Sequence, residues 1–543
     1  MEQNDAIVSD KAQQTQSAQE QEVWHGDVTS IGNREPHLRK DFNFFRLLAL
    51  GYNTSNSWLA IATSLALAVS SGGTVTLLFG IICVAFTMGC TGLSIAELAN
   101  VYPTVGGQYH FTSILSPSRH SRWLSYACGW IGVCSWIAIA ASVGLIIAQC
   151  VLAMAIYFNP TFDAKEWHYF LVYQVVHLIA IAFNVFLVNK VAWIYTCGFI
   201  LSLSAYFVIS IVCPVRAPAH LDSREIWTMF TNSSAGWSDG VCFLAGLSTP
   251  SYMLIGLDST LHLADECHQP ARIIPKAIVT TVIVGFVTAF TFAVALCYSL
   301  TDLEALLTTS TNFPVYILWK QATSSIICAT IFMVALLVIM LIALNGMHQT
   351  ASRLTWSFAC DDALILARYF NRIHPDLEVP VNALLLNYAA CFLLGILYLV
   401  SSSGKVTSAN DPSFKSFNLI HSLPPAFNAF IGTSIILSTV SIGIPISLLL
   451  YQGRSAEYLP ATRTFRLPSP IGFFCNSIAV VWSIIVTIFF CFPTAFPVTA
   501  SNMNYASAVL GIVLMLGVLN WFLSARTEYQ GPRLEIVGSI GDC

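Results

Sequence analysis

The stretch YNTSNSWLAIATSLALAV, which runs from Tyr52 to Val69, decides how the chain folds. From Leu59 onward it has the apolar composition of a membrane helix, and the segment before it, 44–50, is mostly apolar as well. Five consecutive polar residues separate these two parts: Asn53, Thr54, Ser55, Asn56 and Ser57. A polar box inside an apolar run indicates a membrane helix that is interrupted near its middle.

The composition is that of a membrane protein. Of the 543 residues, 56% are hydrophobic and 10% are charged, whereas soluble domains carry about 25% charged residues. A net charge of −4 gives no reason to expect a nucleic-acid partner. The sixteen cysteines lack C-x-x-C spacing, and the motifs of phosphate-binding loops, zinc proteases and serine hydrolases are absent. We therefore expect no metal, no cofactor and no catalytic residues.

Twelve apolar runs are long enough to cross a bilayer, since about 20 residues suffice for a helix. They are 44–69, 75–99, 124–157, 169–188, 191–213, 240–263, 277–299, 321–346, 381–401, 425–451, 470–492 and 503–525. The sequence thus predicts an all-α membrane protein with a twelve-span domain at 44–525. The polar segment 1–43 has no apolar core of a signal peptide and is expected to be a disordered cytosolic tail, and 526–543 a second cytosolic tail.

Lysine and arginine residues indicate which segments face the cytosol, because cytosolic loops are enriched in them. With a cytosolic N-terminus, eighteen of the 24 Lys and Arg residues fall on the cytosolic side and six on the other. An even number of spans places both termini on the same side. We therefore expect both termini in the cytosol. For the location we expect the plasma membrane, with the vacuolar membrane as the alternative.

One glycosylation sequon lies in a loop that this topology places outside the cytosol. It begins at Asn232, within NSS. Asn53 also begins a sequon, but it lies inside a predicted span, where the transferase cannot reach it. We therefore predict that Asn232 is glycosylated.

The sixth run contains a second interruption. It lies within GLSTPSYMLIGLDSTLHLADE, from Gly246 to Glu266. Proline removes a backbone donor and glycine loosens a helix. The polar residues and helix breakers of this stretch are Ser248, Thr249, Pro250, Ser251 and Gly256.

Five spans separate the two interruptions, and five is an odd number. Residues 44–213 and 240–451 are therefore expected to form two repeats of opposite orientation, followed by extra helices at 470–525. Corresponding broken helices in two repeats indicate the binding site of a transporter. The alternative is that Ser and Thr bond to carbonyl groups of their own helix and Asn packs between helices. The candidate substrate-binding residues are Asn53, Thr54, Ser55, Asn56, Ser57, Trp58, Ser248, Thr249, Ser251 and Tyr252.

Three stretches resemble the amino acid–polyamine–organocation (APC) superfamily of transporters. They are ELANVYPTVGGQYHF (Glu97–Phe111), ADECHQPARIIPKAI (Ala264–Ile278) and SRLTWSFACDDALILARYFNRIHPDLEVPVNA (Ser352–Ala383). Each falls on a loop that is expected to be cytosolic. Together with the layout of the runs, the resemblance covers 44–525. The sequence NSW at 56–58 is similar to that of fungal permeases of the GABA and choline type.

The resemblance implies a leucine-transporter-like fold of five plus five inverted helices. Spans one, three, six and eight would line the site, and spans eleven and twelve would lie outside it. The implied function is secondary transport of a small nitrogenous solute, such as an amino acid, GABA or choline, across a fungal membrane. The implied coupling is symport with a proton.

Two features depart from the family pattern. Relatives carry a sequence similar to A-R-D-G-x-L-P in the third stretch, whereas this chain has ACDDALI at 359–365. Amino-acid-selective members tend to have a glycine pair in the first interruption, whose amides bind the substrate carboxylate. This chain has Thr54, Ser55 and Asn56 there.

The ionisable residues deepest in the predicted membrane are Asp258 and His262, which are four apart and share a helix face. A carboxylate within a membrane is a functional candidate by default. Asp258 is expected either to take up the coupling proton or to pair with a substrate ammonium, and the alternative is a structural pair with His262. Glu97 is expected to be a gate or packing contact, through Arg353 or Arg46.

Aromatic residues beside the interruptions are candidates for cation–π contacts with a cationic solute. Trp58 and Tyr252 flank the two interruptions. Trp130 and Trp136 of the third run are weaker candidates, because they are equally compatible with a position facing lipid.

Three other functions compete with the permease. A major facilitator carrier would have a D-R-x-G-R-R-like loop after span two and a long central loop, and neither is present. A transport-inactive nutrient sensor on the same fold is compatible with Cys360 and Asp362. A membrane enzyme would need a catalytic constellation, which the sequence lacks.

Overall fold

Helices form almost all of the regular structure in the computed structural model. The residues that the structure describes are 27–29, 41–70, 72–188, 190, 191, 193–232, 236–301, 313–403, 425–493, 498, 503–533 and 535–537. The helices are α1 (Phe44–Ser55), α2 (Ser57–Ser70), α3 (Gly73–Val101), α4 (Gln108–Leu115), α5 (Ser118–Phe158), α6 (Glu166–Phe186), α7 (Ile194–Arg216), α8 (Ser223–Thr228), α9 (Asp239–Gly246), α10 (Ser248–Tyr252), α11 (Pro270–Tyr298), α12 (Pro314–Thr323), α13 (Ile326–Cys360), α14 (Ala367–Phe370), α15 (Val381–Ser403), α16 (Pro425–Tyr451), α17 (Ser469–Phe489), α18 (Ala506–Asn520) and α19 (Arg526–Glu528).

Shorter elements complete the described chain. A 3-10 helix spans Leu261–Glu266, and a π-helix spans Trp521–Ala525 between α18 and α19. Two strands, β1 (Asp27–Thr29) and β2 (Glu535–Val537), pair in antiparallel fashion and join the two ends of the chain.

Within the described residues, ten helices are long and apolar enough to cross a membrane without interruption. They are α3, α5, α6, α7, α11, α13, α15, α16, α17 and α18 with its extension to Glu528. These helices correspond to ten of the twelve predicted runs, and the other two runs, 44–69 and 240–263, are the ones with interruptions. The prediction of a helical, multi-pass membrane protein is confirmed.

One long helix corrects the sequence-based boundaries. The predicted eighth run ended at residue 346, but α13 continues to Cys360. The first residues of the third family-like stretch, Ser352–Cys360, are therefore helical and do not form a loop. The sequence did not indicate the longer helix because Arg353 and several polar residues interrupt the apolar pattern. These residues are nevertheless buried in the protein.

The first break is narrower than predicted. Helix α1 ends at Ser55 and α2 begins at Ser57, so only Asn56 lies outside a helix. Asn56 has a left-handed backbone with φ of 35°, a conformation that asparagine tolerates better than most residues. The prediction that the whole box from Asn53 to Ser57 is unwound is wrong. Thr54 stays helical, and its hydroxyl donates to carbonyl groups of the preceding turn.

The second break is longer and lies later than predicted. Ser248–Tyr252 is helical, as α10, and the chain then forms consecutive turns from 253 to 260 before the 3-10 helix. Pro250 is tolerated in α10 because it lies in the first turn, where its missing N–H has no helical partner. Gly256 has φ of 74°, which favours glycine, and it lies within these turns. Of the predicted helix breakers, Gly256 is therefore part of the break at 253–260, whereas Ser248–Ser251 is helical.

The helices pack in two groups around these breaks. In the first group, α3 contacts α2, α10 and α11, and α11 also contacts α1 and α2. In the second group, α5, α6, α13 and α15 all contact one another. Helix α7 joins the groups because it contacts α1, α11 and α13. Helix α16 packs against α5 and α17. Large apolar side chains on the outer faces of α6, α7 and α18 are exposed, as expected for surfaces that face lipid.

Candidate functional site

The two helix breaks lie directly against each other. The Ser57 hydroxyl donates to the carbonyl oxygen of Met253 at 2.6 Å, and the Thr54 hydroxyl donates to Ser259 Oγ at 2.9 Å. These bonds join residues about two hundred positions apart in the sequence. The polar residues that interrupt the two predicted spans therefore form one buried polar region.

The first break is held mainly by helix α7. Asn53 Nδ2 donates to the carbonyl oxygen of Tyr195 at 2.6 Å. The Trp58 indole N–H donates to Ser202 Oγ at 2.9 Å, and that hydroxyl donates to Asn56 Oδ1 at 3.0 Å. Asn56 is thus fixed in its left-handed conformation by a hydrogen-bonded chain from the next helix.

The Trp58 ring packs edge-on against Phe292 of α11, with 5.0 Å between ring centroids. Trp136 of α5, which is 1% exposed, contacts the second break through its hydrogen bond to Asp258. The expectation that Trp136 is compatible with a lipid-facing position is wrong. Trp130 is partly buried, and its N–H donates to the carbonyl oxygen of Val513.

Asp258 lies at the centre of the second break. Its Oδ2 accepts hydrogen bonds from Gln108 Nε2 at 2.5 Å and Trp136 Nε1 at 3.2 Å, and His262 Nε2 lies 3.2 Å away. Oδ1 of the same carboxyl group is buried and has no hydrogen-bond partner among the described residues. Oδ2 therefore has several hydrogen-bond partners, whereas Oδ1 has none among the described residues.

His262 is oriented by a backbone carbonyl. Its Nδ1 lies 2.7 Å from the carbonyl oxygen of Val105, and a carbonyl oxygen only accepts, so Nδ1 carries a hydrogen. In the neutral ring, Nε2 would then present a lone pair to the carboxyl group of Asp258. A hydrogen bond between His262 and Asp258 forms only if the pair holds one additional proton. The geometry thus provides a place for a proton that is held between two buried side chains.

Several other buried polar atoms in this region have no partner among the described residues. They are Asn53 Oδ1, Ser55 Oγ, Asn56 Nδ2 and Thr260 Oγ1. A buried polar group without a partner costs about 1–3 kcal/mol. Ser55 and Asn56, at 4% and 3% exposure, supply an acceptor and a donor at the first break. Asp258 Oδ1 at the second break is likewise buried without a partner among the described residues.

The remaining candidates of the sixth run are less central. The Tyr252 hydroxyl bonds to Ser142 of α5 at 2.8 Å, and the Thr249 hydroxyl donates to the carbonyl oxygen of Ser64 at 3.4 Å. The Ser251 hydroxyl bonds within its own helix, to the carbonyl oxygen of Leu247. Ser248 is half-buried. The bond of Ser251 within its own helix fits the alternative interpretation, in which Ser and Thr bond to carbonyl groups of their own helix.

On the side of the chain termini, a buried ion pair joins the two groups of helices. Arg353 Nε of α13 donates to Glu266 Oε1 at 2.7 Å. Glu266 ends the 3-10 helix, and its backbone carbonyl accepts from the N–H of Phe42, which precedes α1. This contact closes the region between the second break and that side of the protein.

Glu97 has different partners from those predicted. It is fully buried and pairs with Arg454 and, at 3.0 Å, with Arg463. Its Oε1 also accepts from the backbone N–H of Leu467 at 3.1 Å. The expected pairing of Glu97 with Arg353 or Arg46 is wrong, because Arg353 binds Glu266. Glu97 instead anchors the loop between α16 and α17 to the end of α3.

Asn232 lies in the connection before α9. Its side chain is exposed, and Nδ2 donates to the carbonyl oxygen of Trp237 and to Asp239.

Sequence reasoning missed two residues of this site. Gln108 was overlooked because it lies 150 positions before Asp258, within a segment noted only for family resemblance. Glu266 lies in another segment that was noted mainly for family resemblance. Neither residue stands in a local pattern that indicates its partner, because both contacts join distant segments.

The comparisons with known proteins agree with the geometry. The model of the family described as Amino acid permease matches residues 42–516. The chain is 32% identical to a choline transporter of Saccharomyces cerevisiae, over 93% of this chain and 84% of that protein. It is 28% identical to a swainsonine transporter of Arthroderma benhamiae, over 91% of this chain and 92% of that protein. Among solved structures, a manganese transporter mutant of Eremococcus coleocola superimposes with a TM-score of 0.54 at 13% identity, over 92% of this chain and 97% of that chain; at this identity the likeness concerns the fold alone.

Proposed function

Because the chain belongs to the amino acid permease family, we propose that it is a proton-coupled transporter of a small cationic amine, with choline as the first candidate. The observation that carries the proposal is Asp258 Oδ1, which is buried at the second helix break without a partner among the described residues. A buried polar atom without a partner is costly. A cationic substrate supplies a charge-assisted partner for Oδ1, while protonated His262 pairs with Oδ2.

The neighbours of Asp258 favour an amine that carries a hydroxyl or a similar polar group. Trp136 donates its indole N–H to the carboxyl group, so an aromatic ring, which can attract an ammonium group, lies beside Asp258. Asn56 Nδ2 and Ser55 Oγ offer a donor and an acceptor at the first break. An amino acid or GABA is the second candidate, because Asn56 Nδ2 can also donate to a carboxylate.

The proton has a defined role in this arrangement. Protonated His262 donates from Nδ1 to Val105 and from Nε2 to Asp258, so every ring hydrogen has a partner. The bond to Oδ2 fixes the carboxyl group with Oδ1 toward the substrate. When His262 loses its proton, a lone pair faces Oδ2, the contact becomes repulsive, and the orientation of Asp258 is lost. Substrate binding and protonation therefore support each other.

The architecture we propose has twelve spans. The ten continuous helices are supplemented by two broken ones, α1 with α2 and α9 with α10 and the 3-10 helix. Residues 44–213 and 240–451 form two inverted repeats, and α17 and α18 are extra helices. The site opens alternately to each side of the membrane, and inward opening requires the Arg353–Glu266 ion pair to separate.

The proposed topology places both termini in the cytosol, in a plasma-membrane protein, and Asn232 outside. We expect glycosidase treatment to increase the electrophoretic mobility of the wild type and to leave Asn232→Gln unchanged. Uptake by Asn232→Gln should equal that of the wild type at matched surface amounts. If Asn232 is labelled in intact cells only after permeabilisation, the topology or the plasma-membrane location is wrong.

The function is tested by uptake of radiolabelled choline, GABA, polyamines and amino acids in yeast cells that lack their own permeases for these solutes. We expect saturable choline uptake that a protonophore abolishes. Cells with empty vector are the control for background. Saturable uptake of an amino acid but not of choline would move the proposal to the second candidate, and no uptake of any solute would favour a sensor on the same fold.

A further inference from the structure

Helix α4 makes two contacts at its first turn that point in different directions. Gln108 donates to Asp258 in the second break. The next residue, Tyr109, donates its hydroxyl hydrogen to Asp361 Oδ2 at 2.7 Å, and its oxygen lies 2.9 Å from Ser357 Oγ. Tyr109 is 1% exposed. A single turn of helix thus joins the central carboxyl group to the end of α13.

Asp361 is held on its other side by the C-terminal segment Tyr529–Arg533. The backbone N–H of Arg533 donates to Asp361 Oδ1 at 2.9 Å. Tyr529 is fully buried, and its hydroxyl bonds to Ser125 at 2.8 Å. Burial raises the pKa of the Tyr529 hydroxyl well above its usual range, so this group remains protonated.

The docking of this segment is reinforced by the start of α5. Arg122 donates from its guanidinium group to the backbone carbonyl oxygens of Ala525, Arg526 and Tyr529. These contacts involve backbone atoms, so they depend on where the segment runs rather than on its side chains. The segment is therefore a fixed part of this face of the protein.

We propose that Tyr109 and Asp361 are positioning residues that hold α4 so that Gln108 reaches Asp258, and that the C-terminal segment fixes Asp361 in place. The inference rests on the proposed function, in which Asp258 and His262 share the coupling proton. Neither Tyr109 nor Asp361 contacts the substrate region. Their effect on transport therefore passes through the single hydrogen bond of Gln108.

The expected consequence is a change in the pH dependence of uptake. Among the described residues, His262 is the titratable group that contacts Asp258, while Gln108 and Trp136 are neutral. Around Asp361, the titratable and charged groups among the described residues include His110 at 3.5 Å, Tyr109 and Tyr529. The neighbouring Asp362 pairs with the guanidinium group of Arg533. A donor that is lost from the carboxylate makes the Asp258–His262 pair hold its proton to higher pH.

The test compares Tyr109→Phe with Tyr102→Phe in surface-matched cells. Tyr102 is also a buried tyrosine, but its hydroxyl donates to the carbonyl oxygen of Tyr458. We expect Tyr109→Phe to shift the midpoint of the pH profile by about one unit toward alkaline pH, since the carboxylate loses the hydrogen bond from Gln108. Tyr102→Phe should leave the midpoint unchanged.

A double variant separates positioning from an independent effect. If Tyr109 acts through Gln108, the midpoint of Gln108→Leu/Tyr109→Phe equals that of Gln108→Leu. The proposal would be overturned if the shifts of the two single variants add in the double variant, or if Tyr109→Phe leaves the midpoint unchanged.

Two further variants test the proposal if Tyr109→Phe does not reach the membrane. We expect the midpoint to shift in the same direction in Asp361→Asn and in a chain that ends at Gln530.

A measurement without substrate keeps this inference distinct from the proposed function. Hydrogen exchange at residues 108–111 of the purified full-length protein should be faster in Tyr109→Phe than in the wild type or Tyr102→Phe. Equal exchange in all three proteins would overturn the positioning role. Faster exchange in a protein that takes up no solute would leave the positioning role intact and reject the transport proposal.

Discussion

The two helix breaks meet in space but differ in length and charge. The first consists of Asn56 alone, whereas the second extends from 253 to 260. The first is neutral and is bonded to the neighbouring helix α7, while the second carries Asp258 and leads into His262. A break of one residue leaves regular helix on both sides. A break of eight residues leaves the side chains within it, such as Asp258, outside regular helix.

This difference assigns different tasks to the two breaks. Ser202 donates to Asn56, and the carbonyl oxygen of Tyr195 accepts from Asn53, so the first break is held in place by α7. In the proposed mechanism the second break depends on a proton for its geometry, because the hydrogen bond between His262 and Asp258 requires one. Changes at the second break should therefore alter both affinity and pH dependence, and changes at the first should alter affinity alone.

The largest expected effect is that of Asp258→Asn. Loss of a charge-assisted contact of about 1.5–3 kcal/mol raises the half-saturating concentration of a cationic substrate by roughly ten- to a hundred-fold. The surface amount of the protein should remain near that of the wild type, because the substitution removes a charge that is costly in the membrane. Concentration-dependent uptake in surface-matched cells measures the change, with Asp222→Asn in an exposed loop as the control. Unchanged uptake would assign Asp258 to structure.

The next largest effect is expected for Gly256→Ala. The backbone at Gly256 has φ of 74°, and an added Cβ would lie 3.0 Å from the Trp136 ring. Left-handed backbone costs about 1–2 kcal/mol for alanine, and the methyl group would displace Trp136 from Asp258. We expect maximal uptake to fall about ten-fold. Gly240→Ala, in α9 of the same span, has open space around its Cβ and should behave like the wild type.

His262→Gln should have a smaller effect on maximal uptake but remove the pH dependence. In the wild type, uptake should decrease as pH rises and His262 loses its proton. Glutamine does not titrate, so uptake by the variant should show no pH midpoint. His120→Gln, at an exposed position, should retain the profile of the wild type. A wild-type profile in His262→Gln would exclude this residue as the site of the coupling proton.

The sequence predicted the family, the helical membrane fold and the existence of both breaks. The family prediction is confirmed by the match over 42–516 and by the similarity to the yeast choline transporter. These features are encoded locally, because a bilayer demands long apolar runs and interruptions of those runs are visible as polar residues. Ten continuous helices were recovered among the described residues.

The extent of each break could not be predicted from composition. Ser, Thr and Asn are compatible with a helix when their side chains bond to its carbonyl groups, as Thr54 and Ser251 do. Whether they do so depends on partners from distant segments. The contact between Gln108 and Asp258 and the choice of Arg454 and Arg463 as partners of Glu97 depend on tertiary packing in the same way. The substrate-binding residues remain predictions.

The smallest expected effects are those at the first break, where backbone conformation and side-chain chemistry can be separated. Asn56→Gly retains the ability to adopt φ of 35° and removes the amide group, whereas Asn56→Ala removes the amide group and also strains the backbone. We expect Asn56→Gly to raise the half-saturating concentration two- to ten-fold, as the loss of one hydrogen bond of about 0.5–1.5 kcal/mol implies. Asn56→Ala should add roughly another 1 kcal/mol of strain and affect maximal uptake as well.

Ser55→Ala tests the neighbouring position without a change in backbone. Its hydroxyl is buried and has no partner among the described residues, so its removal relieves an unsatisfied group unless the substrate binds there. A substrate contact predicts a higher half-saturating concentration, by about two- to ten-fold. If Ser55 serves packing alone, the variant should be equally active and more stable to heat.

The three variants Asn56→Gly, Asn56→Ala and Ser55→Ala should not move the pH midpoint, because they lie at the first break, which is neutral. If Asn56→Gly shifts it by as much as a unit, the two breaks are coupled through the proton, and the separation of tasks between them is wrong.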